Sequence, residues 1–227
     1  MKRSYFLVLL FLWTCGRGPT QIQEGTWELV RAAEGDVRYA ALHFADQSHG
    51  WVVGDAGTIV HTGDGGWTWT AQQSGCSSDL NAVQFVDRDY GWVAGHENTL
   101  MHTEDGGQTW QSRAPVGDSS RTFTALYFPD EATGWVVHTQ GELLHTGNGG
   151  ATWDVQLSWE QGGSALIAFV DDQVGYARPV VDTVLYKTRD GGHSWLTLDS
   201  PPFYHWRRDM FFVDEQHGWI PASTAPS

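Results

Sequence analysis

The sequence predicts an all-β protein of the β-propeller class, and three landmarks that recur along the chain predict it. The first is the pattern Thr-x-Asp/Asn-Gly-Gly-x-Thr/Ser-Trp, in four copies whose final Trp residues are 41, 43 and 42 positions apart. The second is Gly followed by Trp or Tyr, and the third is a Phe six residues before each such Gly. A period in the low forties whose landmarks keep phase is typical of propeller blades with four strands each.

Each repeat unit is predicted to hold four short strands, which we call a to d from the amino to the carboxyl end. Strand a ends at the recurring Phe, strand b starts at the Gly-Trp pair, and a tight turn leads to strand c. Strand c carries neighbouring apolar residues, such as Ile59-Val60 and Leu100-Met101. A strand with one solvated face alternates polar and apolar residues, so these pairs indicate sheets that are buried on both faces, as in radially stacked blades.

Two kinds of turn are predicted to close each unit. An Asp follows every strand a, where its carboxylate can accept a hydrogen bond from the backbone two residues on; these residues are Asp46, Asp87, Asp130, Asp171 and Asp214. The first landmark, here called the Asp box, joins strand c to strand d. Its acidic or amide side chain can bond the turn, its Gly pair supplies positive φ, and its Trp covers the hairpin. The predicted structural residues of the boxes are Asp64, Trp69, Asp105, Trp110, Asn148, Trp153, Asp190 and Trp195.

The blade count leaves two possibilities open. Gly25-Thr26-Trp27 has the spacing of an Asp-box end, four complete units follow, and a fifth unit supplies strands a and b before Ser227. These pieces could close a five-bladed ring without its strand c. We expect instead that the propeller, residues 25–227, is truncated and that further blades are missing after Ser227.

The first 15 residues predict export. Lys2 and Arg3 precede a nine-residue apolar run from Tyr5 to Trp13, which is too short for a permanent membrane span but suits a secretory signal. The run ends in Leu12-Trp13-Thr14-Cys15-Gly16, which is similar to a bacterial lipoprotein signal with Cys15 lipidated, although Trp13 and Thr14 are larger than the usual residues there. The alternative is a plain signal peptide. We expect residues 1–15 to be the signal, 16–24 a tether, and the protein to be extracytoplasmic, in the periplasm or a thylakoid lumen.

The combined pattern Phe-x-Asp…Gly-Trp-Val-x-Gly…Gly-x-Ile-x-x-Thr-x-Asp-Gly-Gly-x-Thr-Trp resembles the Asp-box (BNR-like) propellers of the photosystem II stability and assembly factor family. The resemblance covers residues 25–220 approximately. It implies an exported, often lipid-anchored, non-catalytic propeller that helps assemble a membrane protein complex, with seven blades as a common number. It also implies an Arg-bearing face that meets the partner.

The strand order predicts two faces with different charge. The a–b turns and Asp boxes share one face, which should be strongly acidic, whereas the b–c turns and d–a loops share the other. Several basic and aromatic residues fall in or next to the d–a loops, and such residues are frequent in protein-binding hot spots. We expect this face to dock an acidic or loop segment of a membrane protein. The predicted partner-binding residues are Arg38, Arg121, Arg207, Arg208, Trp159, Tyr204 and Trp206. The alternative is that the basic residues are solvated loop charges balanced by nearby acids.

Other functions are disfavoured by composition and spacing. A net charge of −14 argues against nucleic-acid binding, which needs a basic footprint. His61, His102 and His145 recur before the Asp-box Thr, but equivalent positions in adjacent blades should lie more than about 10 Å apart, whereas zinc needs its ligand nitrogens at about 2 Å. No cofactor or metal site is predicted. The sequence shows no Arg-Ile-Pro motif of sialidases, and its recurring carboxylates suit turns better than a glycosidase pair; Glu160 is the best single candidate. The runner-up function is a carbohydrate-binding or glycosidase-like propeller with Trp159 and Trp206 as sugar platforms.

Overall fold

The computed structural model describes residues 37–115, 117–180, 184–198 and 210–220. The predicted signal, tether and first Asp-box end lie outside these residues, as do Tyr204, Trp206, Arg207 and Arg208. The described residues form four antiparallel sheets of four strands and one sheet of two strands, with one short 3₁₀ turn at Asp55–Gly57. The predicted all-β architecture of four complete blades and one partial blade is confirmed.

Each blade is a meander whose strands follow chain order. The strand bounds are, for blade 1, β1 Tyr39–Phe44, β2 Gly50–Gly54, β3 Ile59–Thr62 and β4 Thr70–Gln72; for blade 2, β5 Leu80–Phe85, β6 Gly91–Gly95, β7 Leu100–Thr103 and β8 Gln111–Ser112; for blade 3, β9 Phe123–Tyr127, β10 Gly134–His138, β11 Glu142–Thr146 and β12 Asp154–Ser158; for blade 4, β13 Ala165–Phe169, β14 Gly175–Pro179, β15 Leu185–Thr188 and β16 Leu196–Leu198; and for the partial blade 5, β17 Phe211–Phe212 and β18 Gly218–Trp219.

The first strands of successive blades lie side by side. Strands β1, β5, β9, β13 and β17 contact one another in that order, which makes strand a the innermost strand of each blade. Strands β2, β6, β10 and β14 are buried along their whole length, whereas the outer strand β16 is exposed. The blades are therefore arranged radially, and both faces of each central strand are covered, as the apolar pairs in the sequence predict.

The Phe and Gly-Trp landmarks together build the contacts between blades. Trp51 of blade 1 lies parallel to Phe85 of blade 2, with ring centroids 3.4 Å apart and planes 7° apart. The same stack joins blades 2 and 3, blades 3 and 4, and blades 4 and 5. The other side of Phe85 lies on Gly91 of its own blade, where an added Cβ would be only 2.3 Å from the ring. The glycine is required because it leaves room for the ring.

The Trp of each Asp box completes this cluster. Trp69 lies edge-on to Phe44 of its own blade, at 6.1 Å and 80°, and its indole N–H donates to the Gly66 carbonyl at 2.9 Å. Trp110, Trp153 and Trp195 make the same edge-on contact with the Phe of their blades. Trp69 therefore folds back over its own hairpin, as predicted. In blades 2 to 4 the box Trp packs against the same Phe ring on which the Trp of the preceding blade stacks.

The polar residues of the Asp box bond as predicted. Asp64 Oδ1 accepts hydrogen bonds from Thr62 Oγ1 and from the Thr68 backbone N–H, both at 2.8 Å. Backbone and side-chain hydrogen bonds from Thr68 lower the pKa of Asp64 to about 2. In the third box, Asn148 Oδ1 accepts the Thr152 N–H at 2.9 Å, so the amide replaces the carboxylate in the same turn. The two glycines of each box have positive φ, for example 74° and 96° at Gly65 and Gly66.

The a–b turns are Asx turns throughout. In each of the five turns one carboxylate oxygen accepts backbone N–H groups from the residues two and three positions on, as Asp46 does from Ser48 at 2.6 Å and His49 at 2.8 Å. The recurring carboxylates are thus accounted for by local structure.

Candidate functional site

A depression of about 750 Å³ opens where the innermost strands meet the b–c turns. Its wall contains residues of all five blades, from Tyr39 and Asn81 to Ala165 and Met210. The strands place the first residues of each strand a at this end, so the depression lies on the face formed by the d–a loops and the b–c turns. We call this face the loop face and the opposite one the Asp face.

The described lining of the depression contains no carboxylate and is rich in hydroxyl groups. Thr122, Thr124, Thr139 and Ser164 contribute side chains, and Ser164 Oγ donates to Thr124 Oγ1 at 2.7 Å. Aliphatic residues such as Ile167 lie between them. Among the described lining residues none is Asp or Glu, and the only Lys or Arg is Arg38. In a chain with a net charge of −14, this lining is a local exception to the acidic composition.

The two predicted docking arginines that the structure describes both lie on the loop face, but they are held differently. Arg38 lines the depression and pairs with Asp55 of the adjacent b–c turn, with 3.2 Å between Nη2 and Oδ1. Its side chain is 71% exposed. Arg121 precedes strand β9, and its Nε donates to Gln140 Oε1 at 3.4 Å in the b–c turn of blade 3. The alternative interpretation, in which nearby acids balance the loop-face charges, therefore applies to Arg38 through Asp55. It also applies in part to Arg121, because hydrogen bonds from Ser120 and, to a smaller extent, the charge of Arg121 lower the pKa of Asp118.

The expectation that Trp159 is an exposed aromatic is wrong. Trp159 is only 7% exposed and packs with Trp135, Leu143 and Ala165 in the core between blades 3 and 4. Its indole N–H donates to the Gly162 carbonyl at 2.8 Å, and its backbone N–H donates to Gly141. The loop after β12 folds back onto the b–c turn, and this local fold buries the ring. Trp159 is consequently unable to serve as a contact platform on this surface, and the neighbouring Glu160 remains exposed.

The three recurring histidines belong to the blade cores. The rings of His61, His102 and His145 lie 4.8, 5.1 and 5.0 Å from the Trp of strand b in their own blades. Burial lowers the pKa of each imidazole. Within residues 37–220, apart from the undescribed positions, no three His, Cys, Asp or Glu side chains are grouped so that they could hold a metal ion.

One polar cluster of the loop face was missed in the sequence. His138 ends strand β10 and is fully buried, and its Nε2 lies 3.0 Å from Glu142 Oε2. The available signal was a break in the repeat, because strand b ends in Gly54 in blade 1 and in Gly95 in blade 2.

Most of the sequence matches the model of one protein family. The family model described as photosynthesis system II assembly factor YCF48 matches residues 20–82 and 74–200. The chain belongs to this family. None of the curated proteins matches the sequence significantly.

Solved structures of YCF48 share the fold. A structure of YCF48 bound to a D1 peptide is 20% identical, with a TM-score of 0.62, over 78% of this chain and 57% of that one. YCF48 from Cyanidioschyzon merolae is 19% identical, with a TM-score of 0.60, over 78% of this chain and 60% of that one. The chain thus spans less than two thirds of the length of these YCF48 structures.

A second group of similar structures consists of GH74 enzymes. The enzyme from Niastella koreensis is 16% identical, with a TM-score of 0.56, over 67% of this chain and 28% of that one. At such identities these similarities show the propeller fold alone. No helix within the described ranges is long and apolar enough to cross a membrane.

Proposed function

We propose that this YCF48-family chain is a non-catalytic, extracytoplasmic scaffold that docks a loop or acidic segment of a membrane protein on its loop face. The observation that carries the proposal is the depression at the centre of that face. An acidic segment would meet no described carboxylate in its lining, whereas the Asp face presents one carboxylate-bearing turn after another. The printed description of one YCF48 structure, bound to a D1 peptide, supports a membrane protein segment as the kind of partner.

The proposed contacts are the arginines and aromatics next to the depression. Arg38 lies in its lining and Arg121 precedes Thr122, which lines it too. Arg207, Arg208, Tyr204 and Trp206 precede Met210, another lining residue, in the sequence, and we include them in the proposed contact surface on that ground alone. Arg with Tyr and Trp is the composition that binding hot spots favour.

Reversal of the charge on this face tests the proposal. We expect the double variant Arg207→Glu/Arg208→Glu, and more strongly its combination with Arg121→Glu, to lose partners recovered from detergent-solubilised membranes of the host. The matched control is Arg88→Glu/Arg189→Glu on the Asp face, where the side chains are 69% and 61% exposed. Unchanged recovery with the loop-face variants, or an equal loss with the control, would refute the docking role.

Export and anchoring complete the proposal. A lipid on Cys15 would hold the tether, residues 16–24, at the membrane and place the loop face near its partner. Expression of the full chain with radiolabelled palmitate should label the wild type and leave Cys15→Ser unlabelled. Equal labelling of both would show that Cys15 is not the lipidated residue.

The second candidate is a carbohydrate-binding propeller, which the fold of the GH74 enzymes favours. The depression lacks a described pair of lining carboxylates, and Trp159 is buried. Affinity electrophoresis against a panel of polysaccharides separates the two functions, because a scaffold for a protein segment should show no retardation. Retardation that is lost in Trp206→Ala would favour the carbohydrate function.

A further inference from the structure

The b–c turn of blade 3 differs from those of blades 1 and 2 at its first residue. In blades 1 and 2 strand b ends in Gly54 and Gly95, where an added Cβ would lie 2.2 and 2.0 Å from the carbonyl oxygens of Arg38 and Asp79. The register between strands a and b shifts at this residue in all three blades. In blade 3 the residue is His138, and its imidazole occupies the core, edge-on to Phe123 at 5.9 Å and 89°. His138 thus places an imidazole with two polar nitrogens at the start of this turn, where blades 1 and 2 have a glycine without a side chain.

Both nitrogens of His138 are engaged, and their partners fix the tautomer. The backbone N–H of Gln140 donates to Nδ1 at 3.3 Å, so Nδ1 must be the bare acceptor. The proton is then on Nε2, which donates to Glu142 Oε2 at 3.0 Å. The neutral imidazole therefore connects the backbone of the turn, at Gln140, with the first residue of strand β11, Glu142. Burial lowers the pKa of His138 and so favours the neutral ring.

The residue that this turn presents is Gln140, which bridges two charged groups of the preceding loop. Its Nε2 donates to Asp118 Oδ2 at 2.6 Å, and its Oε1 accepts from Arg121 Nε at 3.4 Å. The turn is also bonded to the wall of the depression through the backbone, because the Thr139 N–H donates to the carbonyl oxygen of the lining residue Thr122 at 3.0 Å. One turn therefore sets the position of the arginine, its nearby carboxylate and two lining residues of the depression.

Blade 1 holds its arginine by a different chemistry. Arg38 is bonded directly by the carboxylate of Asp55, which neutralises much of its charge toward a partner. Arg121 is bonded instead by the uncharged amide oxygen of Gln140, which can orient the guanidinium. Asp118, which accepts from the same Gln140, interacts with Arg121 through space and not by a direct ion pair.

We propose that His138 is a positioning residue of the loop face: through the turn 139–141 it orients Gln140, and Gln140 orients Arg121 for the partner. The proposal rests on the proposed function only in the last step, the use of Arg121 by a partner. The preceding steps concern the free protein.

The free full chain provides the decisive test, by NMR of arginine Nε–H groups labelled with ¹⁵N. We expect solvent exchange of the Arg121 Nε–H to rise roughly two- to tenfold in Gln140→Ala, which is the factor that one net hydrogen bond represents. Glu142→Ala should produce a similar rise, because it removes the acceptor of His138 Nε2 and loosens the turn. Glu142→Gln, whose amide oxygen still accepts that proton, should behave as the wild type.

The matched control is the corresponding pair in blade 1. Asp55→Ala should accelerate exchange at Arg38 and leave Arg121 unchanged, whereas Glu142→Ala should do the reverse. A long-range ¹⁵N spectrum of the imidazole should show His138 protonated at Nε2. Unchanged Arg121 exchange in Glu142→Ala, or a proton on Nδ1, would overturn the positioning role even if every variant is folded.

Recovery of partners from solubilised membranes tests the last step separately. We expect Glu142→Ala to weaken recovery in the same direction as Arg121→Glu, and Glu142→Gln to retain it. If exchange responds as described but Arg121→Glu recovers partners normally, the positioning role is supported and the docking role of this arginine is refuted.

Discussion

The interface between blades 1 and 2 and the interface between blades 4 and 5 share one geometry but differ in chemistry. In the first, Trp51 stacks on Phe85 amid Val53 and Ile59, which are at most 1% exposed. In the second, Tyr176 stacks on Phe212 with centroids 3.7 Å apart, but Arg178 takes the place of the valine and is 8% exposed.

The second interface also contains a buried ammonium group. Lys187 stands where blades 1 to 3 have a histidine, and it is 7% exposed. Its Nζ lies 5.1 Å from the centre of the Tyr176 ring and 3.1 Å from Glu215 Oε1. The Tyr176 hydroxyl donates to the Glu215 carbonyl at 2.6 Å. The two interfaces thus share the Phe–Gly pair and the ring stacked on it, and they differ in the polarity of the surrounding residues.

The largest difference in stability between the two interfaces should appear when the stacked Trp or Tyr ring is removed. Trp92→Ala deletes a fully buried indole between complete blades and should lower the free energy of unfolding by about 3–5 kcal/mol. Tyr176→Ala should lower it less, because the ring removed is smaller than an indole and lies near the charged side chains of Arg178 and Lys187 rather than among aliphatic ones. Guanidinium unfolding measures both values, and Trp67→Ala, at a 60% exposed position, is the control with little effect. Equal losses for Trp92 and Tyr176 would mean that the polar interface is as strong as the apolar one.

A smaller loss of stability is expected when the Phe ring is retained but the space next to it, left open by the glycine, is filled by a methyl group. In Gly91→Ala the new methyl group would lie 2.3 Å from the Phe85 ring, and the resulting displacement should lower stability by about 1–3 kcal/mol. Gly63→Ala is the matched control, because its Cβ would have only an ordinary contact at 3.8 Å with His61. The same unfolding experiment measures both. A neutral Gly91→Ala would show that the stack tolerates displacement.

Removal of the buried ammonium should have a still smaller effect. Lys187→Met fills the same space without a charge, and Glu215, which is 40% exposed, can then be solvated. Because desolvation offsets much of the attraction in a buried pair, we expect stability to change by no more than about 1 kcal/mol. Arg189→Met, which removes the more exposed cation on the same carboxylate, is the control. A loss well above this value would make the Lys187–Glu215 pair a principal support of blade 5.

The local parts of this fold could be predicted from the sequence, and the contacts between blades could not. The turn at Asp46 and the box at Asp64 use neighbours in the chain, so their hydrogen bonds follow from residue type and spacing. The six-residue spacing from Phe85 to Gly91 was visible as a pattern. The reason for it is a Phe ring that lies between two blades, and this contact joins residues 34 positions apart, Trp51 and Phe85.

The candidate site shows the same division. The strand order alone assigned Arg38 and Arg121 to one face, and the structure places both there. The exposure of Trp159 was predicted wrongly because its burial depends on a loop that folds back onto Gly141. His138 could not be recognised in the same way, because the histidines that stand out in the sequence recur from unit to unit, whereas His138 occurs once and interrupts the repeat.

The smallest expected effect is a loss of stability at acidic pH in blades 1 to 3, which carry the recurring histidines, and not in blade 4. Burial lowers the pKa of His61, His102 and His145, so these rings stay neutral to a lower pH in the folded blades than in the unfolded chain, where an imidazole titrates near about 6.5. The unfolded state then binds more protons as the pH falls, so the stability from the neutral rings is complete above about 6.5 and is lost below it.

Blade 4 carries Lys187 at this position and has no such group to titrate. Backbone hydrogen exchange at pH 7.5 and 5.5, corrected for the intrinsic rates, should therefore show weakened protection in strands β2, β3, β6, β7, β10 and β11, and little change in β14 and β15. In His102→Gln the acid-induced change should shrink in blade 2 and persist in blade 1, since each ring packs against the tryptophan of its own blade. An equal acid response in blade 4 would mean that the effect comes from the Asp turns that all blades share, and not from the buried imidazoles.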